Sequence, residues 1–185
     1  TTSIHLSHYL ALQGHRVLCI DLDPQASMTS IFGLQPEFDV GENETVYAAL
    51  RYDNERRPLS DVIRESYFPG IDLIPGNLEL MDFEFDTPAY LAQRERDELG
   101  LFFERLKNAI ASVEGEYDFV VLDTPPSLGY ATLAALYAAT GLIVTVHPAM
   151  LDVASCNQFL IMISDLADTL AQFGARFDHD FLKFL

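Results

Sequence analysis

Positive charge is scarce in this sequence, and lysine is the scarcer of the two strong cations. The 185 residues include 11 Lys and Arg against 28 Asp and Glu, which gives a formal net charge of −17 at pH 7. Lys107 and Lys183 are the only lysines. A surface of this charge repels the phosphates of nucleic acids and of anionic membranes, so we expect any DNA contact to depend on regions outside this chain.

Cysteine is also scarce, and Cys19 and Cys156 lie far apart in the sequence. This usage argues against a disulfide framework or a cysteine metal cluster and favours a reducing cytoplasm. Cys19 lies within an apolar run and is predicted to be a core residue. No apolar run reaches the ~18 residues that a membrane span requires, and no segment resembles a signal peptide. We therefore expect a soluble, cytoplasmic protein that has no membrane partner.

The composition is that of a folded domain, with 49% hydrophobic and 21% charged residues. The length fits one compact domain and leaves little room for a second. The first residue, Thr1, is not an initiator Met, and residues 181–185 end in an apolar run that has no cap. We expect an internal fragment, a partial domain over residues 1–185 that is truncated at both ends.

Short apolar runs alternate with segments of helical periodicity along the chain. Runs without polar alternation are typical of strands that are buried on both faces of a parallel sheet, and parallel neighbours need crossover connections of helix length. The pattern predicts an α/β fold with a doubly wound, mostly parallel sheet and helices on both faces. The predicted strands are residues 17–20, 71–74, 119–122 and 142–146, and the predicted helices are residues 1–13, 45–50, 59–64, 99–113, 128–139 and 151–173.

Two charged segments can be explained by their structural roles alone, and we prefer those interpretations to functional ones. The acidic residues 81–88 are predicted to form a solvated loop, with a partner site as the alternative. The only cationic cluster is Arg51, Arg56 and Arg57, which could contact DNA or the acids of a partner. We expect these arginines to balance neighbouring Asp and Glu residues on the surface.

Carboxylates directly follow two of the predicted strands. Asp21 and Asp23 follow residues 17–20, and Asp123 follows residues 119–122. Open parallel sheets bind ligands at the carboxyl ends of their strands, and Mg²⁺ prefers oxygen ligands. The same acids could instead cap a following turn or helix, which is the alternative interpretation of each Asp taken alone.

The first predicted helix begins with hydroxyl side chains at Thr1, Thr2 and Ser3. These hydroxyls could cap the helix. A helix N-terminus also carries partial positive charge and free N–H groups, so a phosphate could lie there, with hydroxyls on the phosphate or on magnesium. Together with the acids at the strand ends, this start favours a nucleotide-binding fold.

Several segments resemble one protein family. Residues 1–6 read TTSIHL, residues 16–27 read RVLCIDLDPQAS, and residues 120–129 read VVLDTPPSLG. These resemble the ParA-type ATPases of plasmid and chromosome partition, which belong to the MinD/ParA superfamily and have a P-loop NTPase-like fold with a deviant Walker A motif. Within that family the likeness is greatest to the RepA subgroup, and it extends to GENETVYAALRY, PGNLELM and VHPAMLD at residues 41–52, 75–81 and 146–152.

The resemblance implies roles for the three acids. Asp23 would be the catalytic switch acid that orients or activates the attacking water. Asp123 would be the Walker B carboxylate that holds a magnesium-bound water, and Asp21 would lie beside the magnesium shell. Phosphoryl transfer depends mainly on charge neutralisation and alignment of the nucleophile, which agrees with acids in these roles.

The resemblance also implies which residues would contact the nucleotide. Residues 124–127 would form a second switch that senses the γ-phosphate, with Pro125 and Pro126 in contact with ATP. Thr1 would be either the magnesium threonine or its successor near the α-phosphate, with Thr2 beside it. The family's lysine-containing P-loop and the first strand of the sheet would precede Thr1. Without them we expect this fragment to bind nucleotide poorly and to be inactive.

The function implied by the resemblance is that of a Mg²⁺-dependent ATPase of plasmid partition and replicon maintenance. ATP would close a homodimer, the dimer would bind DNA non-specifically through regions outside this chain, and a ParB/RepB-like centromere-binding partner would stimulate hydrolysis. The intact protein would then associate with the nucleoid.

Two alternatives remain open. The chain could be a non-catalytic interaction module that has a ParA-like fold and lacks the P-loop. It could also be a receiver-like domain whose clustered Asp residues hold Mg²⁺ and accept phosphate. A receiver needs a lysine at a late strand end, and residues 146–148 offer none.

Overall fold

The computed structural model describes residues 2–93, 100–146, 149–172 and 176–185. Within these residues two 3₁₀ turns, Leu59–Val62 and Glu114–Glu116, connect elements of regular structure. The regular elements in chain order are α1 (Thr2–Leu12), β1 (Val17–Asp21), α2 (Ser27–Ile31), α3 (Val46–Leu50), β2 (Arg64–Glu65), β3 (Ile71–Ile74), α4 (Leu80–Ala92), α5 (Gly100–Ala111), β4 (Phe119–Asp123), α6 (Tyr130–Ala138), β5 (Gly141–Val144), α7 (Met150–Gln172) and β6 (Phe181–Phe184).

The main sheet has four strands in the order β2-β3-β1-β4. β1 is parallel to both β3 and β4, and the short edge strand β2 is antiparallel to β3. Helices make the crossovers between the parallel strands, as α2 and α3 do between β1 and β3. The predicted α/β class with a mostly parallel sheet is confirmed.

The central strand β1 packs against helices on both faces of the sheet. Leu18 and Ile20 belong to an apolar cluster that includes residues of α3, α4, α5 and α6. Val17 and Cys19 belong to a second cluster that includes Ile4 of α1 together with residues of α2. Because successive side chains of a strand point to opposite faces, a run of apolar residues needs cover on both sides. The prediction of helices on both faces, with Cys19 in the core, is confirmed.

The prediction of a fourth buried strand at residues 142–146 is wrong in its bounds and in its burial. β5 covers Gly141–Val144, is half-buried, and pairs in parallel with β6 in a separate two-stranded sheet. β4 is also only partly covered, since Phe119 is 42% exposed although its strand is as apolar as β1. An apolar run indicates a strand but not how many neighbours it has. The predicted strand exit at residues 147–148 lies outside the described residues.

The prediction of a solvated loop over residues 81–88 is also wrong, because these residues lie within helix α4. Leu80 and Phe83 are buried in the core, where their spacing places them on one helix face. Pro88 lies inside the helix, and the Thr87 hydroxyl donates a 2.6 Å hydrogen bond to the Phe83 carbonyl one turn earlier. Acids alternate with apolar residues along this segment, and Met81 and Phe85 are exposed, so the helical period of the buried apolar residues was hidden.

The prediction of a helix over residues 59–64 holds only for one 3₁₀ turn, which is followed by the edge strand β2. The prediction that the cationic cluster balances nearby acids holds for Arg51 and Arg57, whereas the Arg56 side chain donates a 3.0 Å hydrogen bond to the Ala49 carbonyl. Arg51 lies 2.6 Å from Asp53, and Arg57 lies 3.7 Å from Asp61. In the part of the chain that the structure describes, no helix combines the length and the apolar character needed to cross a bilayer.

Candidate functional site

The pairing of β1 with β4 brings Asp21 and Asp123 to the same edge of the sheet. The two residues are directly opposite each other in the parallel register. The Leu22 N–H donates a 2.8 Å hydrogen bond to the Asp123 carbonyl, so the two strands remain paired for one residue beyond Asp21. Asp23 is the next residue of the chain after Leu22. The structure therefore brings together the three acids that the sequence singled out.

The start of helix α1 lies against the end of β4. The Ser3 hydroxyl donates a 2.5 Å hydrogen bond to Oδ1 of Asp123, although 120 residues separate the two in sequence. Thr2 is the first residue of the helix and precedes Ser3. Thr1 lies outside the described residues. The N–H groups at a helix start and an adjacent carboxylate are the combination that a phosphate and its counter-ion require.

Asp21 is a buried carboxylate whose two oxygens both accept hydrogen bonds. Its Oδ2 accepts from the Thr29 N–H at 2.8 Å and from the Thr29 hydroxyl at 2.7 Å, and its Oδ1 accepts from the Asp23 N–H at 3.2 Å. Burial raises the pKa of Asp21 from 3.8 to about 6, and the bonds from Thr29 offset part of that effect. Asp21 therefore joins the strand end to the loop that carries Asp23 and to helix α2.

The exit of β3 completes this buried network through Gly76. The Gly76 N–H donates a 3.0 Å hydrogen bond to the Thr29 hydroxyl, so Thr29 links Gly76 to Asp21. A Cβ on Gly76 would lie 2.7 Å from the Asp21 carbonyl oxygen and 3.2 Å from the Asp23 carbonyl oxygen. Backbone atoms cannot move aside as a flexible side chain can, so the close approach of the β1 and β3 exits requires glycine here.

Asp23 faces a cavity at this edge of the sheet. Its Oδ1 accepts a 2.9 Å hydrogen bond from the Gln25 N–H, which makes a local turn, and its side chain is half-buried. The cavity has a volume of about 440 Å³, and its walls include Asp23, Pro24 and Gln25 on one side and Pro125 and Ser127 on the other. The segment after β1 and the segment after β4 thus enclose one space. Pro126 is not among the described residues that line it.

The donor set at this edge fits a magnesium ion that is completed by phosphate oxygens. Among the described residues no three His, Cys, Asp or Glu side chains are grouped so that they could hold a metal by themselves. Mg²⁺ is commonly bound by one or two carboxylates together with water and substrate phosphates. Asp123, with hydroxyls at the start of α1 beside it, provides that kind of partial site.

Comparison with known proteins gives the same picture of the chain. A family model described as an AAA domain matches residues 1–173. A candidate replication protein A of Rhizobium rhizogenes is 53% identical over all 185 residues of this chain, which cover 46% of that protein. A ParA family protein of Chlamydia muridarum is 32% identical over 169 residues, which are 90% of this chain and 60% of that protein.

A solved structure extends the likeness to three dimensions. Cobyrinic acid a,c-diamide synthase from Mycobacterium smegmatis, with a bound ATP analogue and magnesium, matches with a TM-score of 0.69 at 30% identity. The match covers 99% of this chain and 64% of that one. This chain belongs to the ParA-type partition ATPases. It spans about half the length of the curated relatives that it matches.

Three residues of this site have no part in the predictions from sequence. Thr29 and Gly76 hold Asp21, and Glu84 lines the cavity beside the loop that follows β4. Their partners lie between 8 and 47 residues away in sequence, so no local pattern connects them. The Pro75-Gly76 pair after β3 indicated a turn there, but not a close approach of backbones.

Proposed function

We propose that this protein is a Mg²⁺-dependent ATPase of plasmid partition and replicon maintenance. The observation that carries the proposal is the meeting of Asp21, Asp23 and Asp123 at one sheet edge, beside the start of α1. Phosphoryl transfer needs charge neutralisation and a correctly placed water, and acids at this position can serve both needs. The cavity between the two loops has room for the reacting groups.

The proposal assigns a different task to each acid. Asp23 faces the cavity and would orient the attacking water. Asp123 would hold a magnesium-bound water, with Thr1 and Thr2 placed to contact magnesium or phosphate. Asp21 lies next to this shell and fixes the loop that carries Asp23, since both of its oxygens are engaged. Magnesium, when bound, neutralises part of the phosphate charge. Pro125 and Pro126 would contact the nucleotide from the second loop.

The charges at this edge of the sheet bear on what else ATP binding would require. Each acid at ~4 Å from a phosphate charge costs about 4 kcal/mol at an effective dielectric of ~20. The two lysines of the chain, Lys107 and Lys183, lie on α5 and β6, and neither is among the described residues that line the cavity. We therefore infer that lysines of a P-loop, carried by a strand next to the partly covered β4, complete the site.

The remaining parts of the proposal concern assembly. ATP would close a homodimer that binds DNA, and a centromere-binding partner would stimulate hydrolysis. A net charge of −17 makes this chain a poor surface for DNA, so the contact would depend on basic residues elsewhere in the protein. The neighbour that is solved with an ATP analogue and magnesium supports the assignment of these cofactors.

The test compares the full-length protein with its Asp23→Ala variant. We expect the variant to dimerise with ATP as the wild type does and to lose phosphate release, because only the alignment of water is removed. Glu37→Ala, which removes an exposed acid from the segment between α2 and α3, is the control and should keep both properties. Normal phosphate release from Asp23→Ala would remove Asp23 from the catalytic role. A wild type that neither binds nor hydrolyses Mg-ATP would favour the non-catalytic module.

A further inference from the structure

Helix α6 is capped by a side chain from another helix. The residue before its first turn is Gly129, which has no side chain to offer. Instead the Glu84 carboxylate of α4 accepts two backbone hydrogen bonds, from the Tyr130 N–H to Oε2 at 2.8 Å and from the Ala131 N–H to Oε1 at 2.9 Å. A bidentate carboxylate at a helix start is stabilised both by charge-assisted hydrogen bonds and by the helix dipole.

Close packing around the carboxylate leaves no room for another capping group. A Cβ on Gly129 would lie 2.6 Å and 2.7 Å from the two Glu84 oxygens. On the opposite side of the turn, the Thr132 hydroxyl donates a 2.6 Å hydrogen bond to the Ser127 carbonyl. The end of the loop that follows β4 is therefore held at two points, one within α6 and one on α4.

This loop forms one wall of the cavity that Asp23 faces. Pro125, Ser127 and Gly129 line the cavity from this loop, and Glu84 lines it from α4. Helix α4 begins shortly after Gly76, in the segment that follows β3, and the Gly76 backbone lies against Asp21 and Asp23. Glu84 thus links the loop after β4 to a helix whose preceding segment packs against the loop after β1.

We propose that Glu84 is a positioning residue for ATP hydrolysis. Its carboxylate anchors the start of α6 and so holds residues 124–129 opposite Asp23, at the distance that the reacting phosphate needs. The inference rests on the proposed ATPase function. Glu84 does not touch the reacting atoms in this proposal; it acts through the backbone of the loop.

The test is Glu84→Gln in the full-length protein. Glutamine has the same shape, but its amide NH₂ replaces one oxygen and cannot accept the bond from α6. We expect kcat per ADP-binding site to fall about tenfold, as for loss of a charge-assisted hydrogen bond, while ADP affinity stays within about twofold. ADP lacks the phosphate that the loop would contact. Asp82→Asn removes an exposed charge from the same helix and should leave kcat unchanged.

A purely structural role for Glu84, as a cap of α6, predicts a different result in the same experiment. If Glu84 only stabilised the fold, the variant would lose ADP-binding sites and activity in equal proportion, and kcat per site would stay constant. That result, or a kcat per site within twofold of the wild type, would overturn the inference while leaving the ATPase proposal in place. A wild type that does not hydrolyse ATP would overturn both.

A second variant tests the same contact from its other side. Gly129→Ala places a methyl group against the Glu84 carboxylate and should displace it, so kcat per site should fall as in Glu84→Gln. The double variant should be no slower than the slower single variant, because both changes break one contact. Additive losses, or an unchanged kcat in Gly129→Ala, would contradict the proposed anchor even if Glu84→Gln does not fold.

Discussion

Ionisation of the buried Asp21 carboxylate should make the free energy of unfolding depend on pH. Its pKa is raised by burial from 3.8 to about 6 in the folded chain. Between these two values the folded state binds more protons than the unfolded state, so stability falls as pH rises. The contribution of Asp21 is fully present below pH 3.8 and is lost as the pH passes through about 6.

The size of this effect follows from the two pKa values. Each pH unit between them is worth about 1.36 kcal/mol, so the whole shift is worth about 3 kcal/mol, of which about 2 kcal/mol falls between pH 4 and pH 7. Other acids also titrate in this range. The Asp21→Asn variant removes the ionisation of this one group, so the difference between wild type and variant isolates it.

The assay is urea unfolding of the wild type and of Asp21→Asn, monitored by circular dichroism. It is repeated at steps of half a pH unit from pH 4 to pH 7. We expect the unfolding free energy of the wild type, relative to the variant, to fall by about 2 kcal/mol across the range. Asp82→Asn, which removes an exposed carboxylate, should not reproduce that slope. A difference that stays constant with pH, or one that rises, would refute the reasoning about burial.

Two further predictions test the packing around the site. Gly76→Ala should lower the unfolding free energy by about 1–3 kcal/mol, because its Cβ meets backbone atoms, whereas Gly115→Ala, where a Cβ meets nothing within 4 Å, should change it by less than about 0.5 kcal/mol. Equal effects in denaturant unfolding would contradict the close approach of the strand exits. Phe83→Ala should cost about 3–5 kcal/mol and Phe85→Ala, at a position 68% exposed, less than about 0.5 kcal/mol; similar losses would contradict the helix α4 packing.

The parts of the fold that could be predicted from the sequence are those with a local signature. The run of apolar residues in β1 has no polar alternation, so it indicated a strand covered on both sides. The acids Asp21 and Asp123 directly follow such runs, and parallel strands end at the same edge of a sheet. The register that sets the two residues opposite each other follows from that geometry.

The parts that escaped prediction depend on contacts between distant segments. Helix α4 was hidden because acids alternate in sequence with apolar residues of which two, Met81 and Phe85, are exposed, and because proline is rare inside helices. The burial of β5 depends on its neighbours in the sheet, which an apolar run does not specify. Glu84 could not be recognised, because its partners Tyr130 and Ala131 lie 46 and 47 residues further along the chain.

The most direct test of the ATPase site is the magnesium dependence of ATP binding by the full-length protein. Calorimetric titrations would compare wild type with Asp123→Asn, each with and without Mg²⁺. In the wild type Mg²⁺ should strengthen ATP binding, and in Asp123→Asn that gain should shrink by about tenfold, the loss of a single charge-assisted contact. Equal gains from Mg²⁺ in the two proteins would contradict the placement of the ion beside Asp123.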